Sequence, residues 1–306
     1  MDQVLTSLPT PVRATTSDEP EEILAFALAA LQGGGKIALA TLVDIRGGAA
    51  RALGSQLAVA SDGRFCGYVS GGCVEAAVAC EALMALEEGR DRIVKFGKGS
   101  PFFDIALPCG GGITIAIHVL RDGRLVDGIL KSLQARETGA LCYSPDEHLL
   151  DRICPPSQSG WYDKDFKILY RPRTRIAVSG GNAEAHAVSA IAKACGFDVI
   201  ETNGNEQNLL AAIDEMTAVV LLHHDLDAEE RVLGAALRSR AFYVGALGST
   251  RTHKRREERL CLAGWSKTEI NRIKAPIGFF GPTRDASSLA LSVLADVAAA
   301  RLAAYG

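Results

Sequence analysis

Between residues 175 and 249 the chain alternates apolar runs with helical stretches, and no other feature limits its fold as tightly. RIAVSG (175–180) is an apolar strand pattern that ends in glycine. A helical pattern follows to about Ala194, then FDVIETN (197–203). AVVLLHH (218–224), a further helical stretch and AFYVGALGS (241–249) continue the rhythm. Strands that alternate with helices in this way build βαβ units, and βαβ units build a parallel sheet. The second half is therefore expected to be a Rossmann-like domain.

The first half follows a different plan. Residues 1–15 are polar, contain proline and read as loose. Thr16 and Glu19 have capping-box spacing, and Pro20 suits a first helical turn. Ile23, Leu24, Leu28 and Leu31 then mark one helical face, which ends at the glycines 33–35. KIALATLV (36–43) reads as a buried strand and IRGGAARALGS (45–55) as a glycine-rich loop. QLAVA and FCGYV flank Asp62-Gly63, a hairpin signal. CVEAAVACEALMALEEG (73–89) reads as a helix and RIVKF (92–96) as a short strand. Ile113, Ile115, Ile117 and Val119 alternate along another strand. The stretch 145–174 is rich in Pro, Asp, Ser and Tyr and holds the domain boundary. The expected organisation is α/β throughout: a mixed α/β domain over 1–160 and a Rossmann-like parallel-sheet domain over 161–306.

Composition narrows the function classes. The 306 residues carry a formal net charge of −3, so nothing steers the chain as a whole toward nucleic acid or an anionic membrane. No run of about 18 apolar residues suggests a membrane span. The first residues lack the basic and apolar segments of a secretory signal, and a cytoplasmic, reducing setting is expected. The eight cysteines would then be thiols. None of their spacings is a zinc pair such as C-x2-C. Cys66, Cys80, Cys142, Cys154, Cys195 and Cys261 are expected to be small buried hydrophobes.

The remaining two cysteines stand in unusual company. SGGC (70–73) and LPCGGG (107–112) each place a thiol beside consecutive glycines. A backbone without Cβ atoms can approach a ligand closely, and its successive N–H groups can form an anion-binding concavity. Cys73 would also begin a helix, where the dipole favours a thiolate. A thiolate next to an anion cradle suits a ligand with a soft metal or sulfur and a phosphate. GGAAR (47–51) adds a third glycine loop with an arginine for charge pairing.

The second half is less regular as a nucleotide site. A dinucleotide fingerprint needs G-x-G-x-x-G. SGGNAEA supplies Gly180, but Asn182 and Ala185 occupy the next two glycine positions, and Glu184 would repel a pyrophosphate. Asn203 closes the second strand where ribose recognition wants an acid. His223-His224-Asp225 and Gly248-Ser249-Thr250-Arg251 fall at carboxyl ends of strands, where open α/β sheets place ligands. The latter opens a basic stretch with Lys254, Arg255, Arg256 and Arg259.

These motifs resemble the XdhC/CoxI proteins, accessory factors of xanthine dehydrogenase and related molybdenum hydroxylases. The likeness rests on ALATLVDIRGGAARALGSQLAVASDG, GYVSGGCVEA and LPCGGG in the first half. AFYVGALGSTRTHKRR, RIKAPIG and SLALSVLADVAAA carry it in the second. It spans most of residues 36–303. The resemblance implies a carrier that binds molybdenum cofactor, assists its sulfuration and hands it to an apo-hydroxylase, working with a cysteine desulfurase. It implies a maturation chaperone more than an enzyme; the oxygen sensitivity of such a cofactor and the need to dock partners lead us to expect a homodimer. Cys73 matches the family's GGC cysteine, Cys109 its LPCGG cysteine, Arg51 the arginine of its G-S-x-P-R loop and His224 a histidine of its pattern. The implied reactive thiol is Cys73, and the implied metal ligands are Cys73 and Cys109. The candidate cofactor contacts are Gly47, Gly48, Arg51, Gly71, Gly72, Cys73, Glu75, Cys109, Gly110 and Gly111 in the first domain. Gly180, His224, Gly248, Ser249 and Arg251 are the candidates in the second. Two departures stand out. GGAAR lacks the family's serine and proline, and Gly112 replaces an arginine.

Two other readings compete: an NAD(P)-dependent oxidoreductase that uses the Rossmann half, and a non-catalytic interaction protein that has lost both sites.

Overall fold

The computed structural model describes residues 8–98, 100, 110–201 and 211–305. Cys109 and Asn203 lie outside the described residues. The chain forms two compact units, Met1–Pro172 and Arg173–Gly306.

The first unit is built on a six-stranded sheet. Its strands are β1 (Val12–Thr15), β2 (Ile37–Arg46), β3 (Gln56–Ala60), β4 (Arg64–Gly67), β5 (Arg92–Gly97) and β6 (Gly112–Leu120). They lie in the order β1-β4-β3-β2-β6-β5. β1 falls within the stretch expected to be loose and pairs parallel to β4. The hairpin at Asp62-Gly63 joins β3 and β4, with Gly63 at φ +90.

β2 is apolar on both sides and is covered on both. Ile37 and Leu39 face the cluster that holds Ile23, Leu24 and Ala27 of α1 (Pro20–Gln32) and Val126, Ile129 and Leu130 of α3 (Arg124–Gln134). Ala38, Ala40 and Leu42 face the opposite cluster with Val78, Ala82, Leu83 and Leu86 of α2 (Glu75–Glu88). The two-residue period of the strand makes this division unavoidable. α1 begins at Pro20 as expected, but no capping box forms. Glu19 is the N-cap without a side-chain cap bond, and its amide donates to the Ser17 hydroxyl.

The stretch 145–174 holds strands as well as the boundary after Pro172. It carries β8 (Leu149–Arg152), β9 (Gly160–Tyr162) and β10 (Asp165–Tyr170). With β7 (Gly139–Ser144) they make an antiparallel sheet in the order β8-β7-β10-β9. Leu141, Tyr143, Phe166, Ile168 and Tyr170 from this sheet complete the α1–α3 cluster.

The second unit is a parallel sheet, as the alternation requires. Its strands are β11 (Arg175–Ser179), β12 (Asp198–Glu201), β13 (Thr217–Leu221), β14 (Tyr243–Ala246) and β15 (Ile273–Lys274), in the order β12-β11-β13-β14-β15. α4 (Ala183–Ala194) and α8 (Ala286–Tyr305) pack on one face, and α5 (Leu226–Arg238) and α6 (Thr250–Leu262) on the other. A short α7 (Lys267–Ile270) carries a complete capping box between Ser266 and Glu269. By length and composition α8 is long and apolar enough to cross a membrane. Its Ala290, Val293, Leu294 and Val297 are buried in the core shared with α4.

Candidate functional site

The three glycine loops of the first unit meet at one end of the six-stranded sheet. β2 ends there at Arg46, β4 at Gly67 and β5 at Gly97, and β6 starts there at Gly112. A Cβ on Gly71 would lie 3.2 Å from the Ala50 Cβ. A Cβ on Gly47 would lie 3.5 Å from the Gly111 Cα. A Cβ on Gly111 would strike the Gly48 carbonyl oxygen at 2.5 Å and that of Arg46 at 2.8 Å. These loops therefore touch through bare backbone, which is the role their glycines play.

Arg46 pins this end of the sheet. Its guanidinium donates to the Lys98 carbonyl at 3.1 Å, the Ile113 carbonyl at 3.1 Å, the Thr114 hydroxyl at 2.8 Å and the Asp44 carboxylate. The same group explains Gly112. A Cβ there would lie 2.5 Å from the Lys98 carbonyl oxygen and 2.9 Å from Nη2 of Arg46. This backbone leaves no room for a side chain at position 112.

The concavity expected from SGGC exists, and the anion in it is the chain's own Glu75. This carboxylate is 1% exposed. It accepts N–H groups from Val69 (3.1 Å), Ser70 (2.8 Å), Gly71 (3.1 Å), Gly72 (2.9 Å) and Val74 (3.2 Å), and the Ser70 hydroxyl (2.8 Å). Burial pushes the Glu75 carboxyl up, but the hydrogen bonds from Ser70 and Gly71 outweigh it and hold the group below its ordinary value. Gly71 and Gly72 sit at φ +124 and +112, a region that side chains rarely adopt. The loop thus spends its amides inward and turns a surface free of Cβ atoms outward. A Cβ on Gly48, Gly72 or Gly110 would meet nothing within 4 Å.

Cys73 is exposed on this surface, just ahead of α2, and its amide donates to the Ser70 hydroxyl at 3.1 Å. Arg51 approaches from the second loop. Its guanidinium reaches Asp18 at 3.2 Å and the Ala50 carbonyl at 3.1 Å, and lies 5.3 Å from the centre of the Tyr68 ring. Its Nε is buried without a hydrogen-bond partner. Arg13 stacks on Tyr68 at 4.1 Å and donates to the Gly67 carbonyl at 3.0 Å. Arg13, Arg46 and Tyr68 escape motif reading, since each acts through a partner distant in sequence.

Among the described residues, no group of three or more His, Cys, Asp or Glu side chains is placed to hold a metal ion. The burial expected for six other cysteines fails for most of them. Only Cys66 is buried; Cys142 is half-buried, and Cys80, Cys154, Cys195 and Cys261 are exposed. Cys80, Cys195 and Cys261 fall on or just past the solvent faces of helices, where the thiol has no cavity to fill.

In the second unit His224, Gly248 and Ser249 line one cavity, and Gly180 and Arg251 are not among its lining residues. Gly180, at φ +149, makes room for the strand end beside it: a Cβ would lie 2.8 Å from the Leu222 carbonyl oxygen. The helix that follows is closed by Asn182, which accepts the Ala185 amide and donates to the Leu222 carbonyl. Ser249 likewise accepts the amide of Thr252 in its own helix. The basic stretch is divided: Arg251, Lys254 and Arg255 are exposed, while two arginines are taken up in ion pairs. Arg256 is buried in a two-point ion pair with Glu229 and also donates to the Leu247 carbonyl. Arg259 binds Asp227 and Glu230.

Comparison with known proteins agrees with this division. Residues 30–97 match the family model described as "XdhC and CoxI family", and residues 176–297 match "XdhC Rossmann domain". The chain is 48% identical over 294 residues to the molybdenum cofactor insertion chaperone PaoD of Escherichia coli K12, covering 95% of this chain and 92% of that protein. It is 23% identical over 310 residues to a probable xanthine dehydrogenase subunit from Bacillus subtilis, covering 85% and 91%. A crystal structure titled as a xanthine dehydrogenase from Bacillus halodurans shares the fold, with a TM-score of 0.72 at 17% identity over 93% of this chain and 96% of that one.

Proposed function

Since the chain belongs to the XdhC and CoxI family, we propose that it binds molybdenum cofactor as cargo and assists its insertion into a molybdenum hydroxylase of the xanthine dehydrogenase type. Similarity to PaoD along nearly the full length supports this reading. The observation that carries it is the contact among three glycine loops at one end of the sheet, one of which bears the exposed thiol Cys73.

The residues fit such a cargo. Gly48, Gly72 and Gly110 leave open space where side chains would stand, so a flat, polar cofactor can lie against backbone. Cys73 offers an exposed sulfur ligand for a soft metal. Arg51 brings a half-buried guanidinium, now paired with the exposed Asp18, for an anionic group to compete for. Glu75 shapes the loop from inside and does not touch the cargo. Cys109 and Gly111, two residues on, belong to the same proposed site, as do Gly47 and Gly71 at the loop contacts. Sulfuration belongs to the same reading, with a cysteine desulfurase as donor of the terminal sulfur. So do a cytoplasmic location and a homodimer, which light scattering of the purified chain checks.

The test is anaerobic titration of the purified chain with molybdenum cofactor, wild type beside Cys73→Ala and Cys109→Ala. Saturable binding is expected, weakened about tenfold in Cys73→Ala, a loss of about 1.4 kcal/mol. Equal binding by wild type and both variants would sink the thiol role. No binding by the wild type would sink the carrier reading.

A further inference from the structure

The second unit holds a cavity of about 960 Å³ at the carboxyl ends of β11, β13, β14 and β15. A Rossmann-type sheet usually binds dinucleotides at this end, with a helix N-terminus left open to the pyrophosphate. Here each helix start around the cavity is capped by a side chain of its own segment. Asn182 accepts the Ala185 amide of α4 at 3.0 Å, Ser249 the Thr252 amide of α6 at 3.2 Å, and Asp285 the Ser288 amide of α8 at 2.8 Å. Glu184 lines the cavity in the first turn of α4, and Asp285 lines it ahead of α8. Arg284 is the only permanent cation among the lining residues described. The two carboxylates outnumber it and offset the helix dipoles that would attract phosphate.

The other side of the cavity is aromatic and fixed. Phe279 and Phe280 line it and are 67% and 53% exposed. Their loop is not free to fold them away. The Phe280 amide donates to the Ser292 hydroxyl at 2.9 Å, and that hydroxyl donates back to the Phe280 carbonyl at 2.6 Å. The Phe279 amide donates to the Ser292 carbonyl at 3.0 Å, and the Gly278 amide to Asp296 at 3.3 Å. Gly278 holds φ +113, and a Cβ there would strike Oγ of Ser292 at 2.6 Å. A loop clamped in this way keeps two large apolar rings in water at the mouth of a cavity. Such rings are suited to stacking on a planar ligand. Glu184, 3.8 Å from the exposed His224, supplies an acceptor for hydroxyl or amino donors.

We infer that this cavity takes a planar heteroaromatic ligand of the nucleoside class, without phosphate. Its ring stacks on the Phe279–Phe280 pair and its hydroxyl or amino groups donate to Glu184. The capped helix starts and the two carboxylates disfavour the fold's ordinary dinucleotide.

Calorimetric titration of the full chain tests this. The probes are adenosine, guanosine, cytidine and uridine, each beside its 5′-monophosphate, together with NAD+. At least one nucleoside is expected to bind saturably, about tenfold or more tighter than its monophosphate and than NAD+. Joint replacement Phe279→Ala and Phe280→Ala weakens that binding about tenfold or more. Both rings are exposed, so the variant keeps its fold, which far-UV circular dichroism verifies. Glu184→Gln narrows the gap between nucleoside and monophosphate. Binding of a monophosphate or NAD+ as tight as any nucleoside overturns the proposal. So does the failure of all four nucleosides to bind at millimolar concentration, or full binding in the double variant.

Discussion

Glu75 takes two hydrogen bonds from Ser70, one from the amide and one from the hydroxyl, each 2.8 Å long. The Ser70 hydroxyl in turn accepts the amide of Cys73 at 3.1 Å. One carboxylate therefore organises the loop that presents the thiol, and it does so from the buried side.

Glu75→Gln is expected to cost about 2–4 kcal/mol in urea unfolding, because the new amide turns a donor toward buried N–H groups and leaves some unsatisfied. The pH dependence has a definite sign. The folded carboxyl lies below its ordinary value despite burial, since the Ser70 and Gly71 hydrogen bonds outweigh desolvation. An unfolded glutamate titrates near ~4.3. The stabilisation is thus complete above that pH and is lost as pH falls through the lower folded value. The difference between wild type and Glu75→Gln should hold steady from pH 7 to about 5 and shrink below about 4. A difference that grows on acidification would contradict this assignment.

The parallel sheet was legible because its strands are apolar runs cut off by glycine, as RIAVSG is, and few folds accept that rhythm. The Asp62-Gly63 hairpin was legible for a local reason, since the turn chemistry lies in the dipeptide itself. The sheet β7–β10 was not legible. Its strands are short and separated by Pro and Ser, and their register depends on partners such as Phe166 against Tyr143. At the candidate site the glycine–thiol loops could be read, but the occupant of their concavity could not. Glu75 looks like any first-turn acid of a helix until the φ values of Gly71 and Gly72 fold five amides around it. In the basic stretch one ion pair was hidden for a similar reason. Arg256 finds its partner Glu229 on another helix, and sequence spacing says nothing of that.

Two glycines of the site separate stability from binding. Gly72→Ala forces a side chain into φ +112 and is expected to cost about 1–3 kcal/mol. Gly48 has no such φ and open space around its Cβ position, so Gly48→Ala should change stability by less than about 0.5 kcal/mol. The same methyl would stand on the proposed cofactor surface and weaken binding there. Urea denaturation beside cofactor titration checks both halves. Intact binding in a stable Gly48→Ala would move the cofactor off that loop.

Thiol labelling should follow exposure. Cys66 is buried, and desolvation pushes its thiol up although the Thr15 hydroxyl lies 2.9 Å from the sulfur. Cys73, Cys80, Cys154, Cys195 and Cys261 are exposed. Brief alkylation with iodoacetamide, read by peptide mass spectrometry, is expected to modify these five and spare Cys66 until the chain is unfolded. Early modification of Cys66 would mean that β1 does not cover it in solution.

Neighbouring arginines of α6 should behave in opposite ways. Arg256 is 2% exposed and shares a two-point ion pair with Glu229, itself 1% exposed. Arg256→Ala leaves a buried carboxylate unpaired and is expected to cost about 3–5 kcal/mol. Arg255 is exposed, and Arg255→Ala should stay within about 0.5 kcal/mol of wild type. Thermal unfolding of the pair decides the matter, and equal effects would refute the buried pair.

Asp91 offers a control for the site, because it stabilises the first unit from elsewhere in the sheet. Its carboxylate is 4% exposed and meets Nδ1 of His118 at 2.7 Å, the Tyr143 hydroxyl at 3.0 Å and the Val119 amide at 3.0 Å. Burial works against its charged form, yet these hydrogen bonds, the one from His118 foremost, keep the carboxyl below its ordinary value. Burial and the adjacent Asp91 push the Tyr143 hydroxyl up, so it stays a donor across the working pH range. Asp91→Asn is expected to cost about 2–4 kcal/mol at pH 7. That loss should fade as pH falls below the ~3.9 of an unfolded aspartate, where the wild-type stabilisation itself disappears. His118 lies six residues along β6 from Gly112, about 20 Å from the glycine loops at the usual strand rise. Asp91→Asn should therefore lower the unfolding temperature and leave cofactor affinity at 25 °C unchanged. A parallel loss of affinity in the folded variant would show that the cofactor surface extends to this end of the sheet.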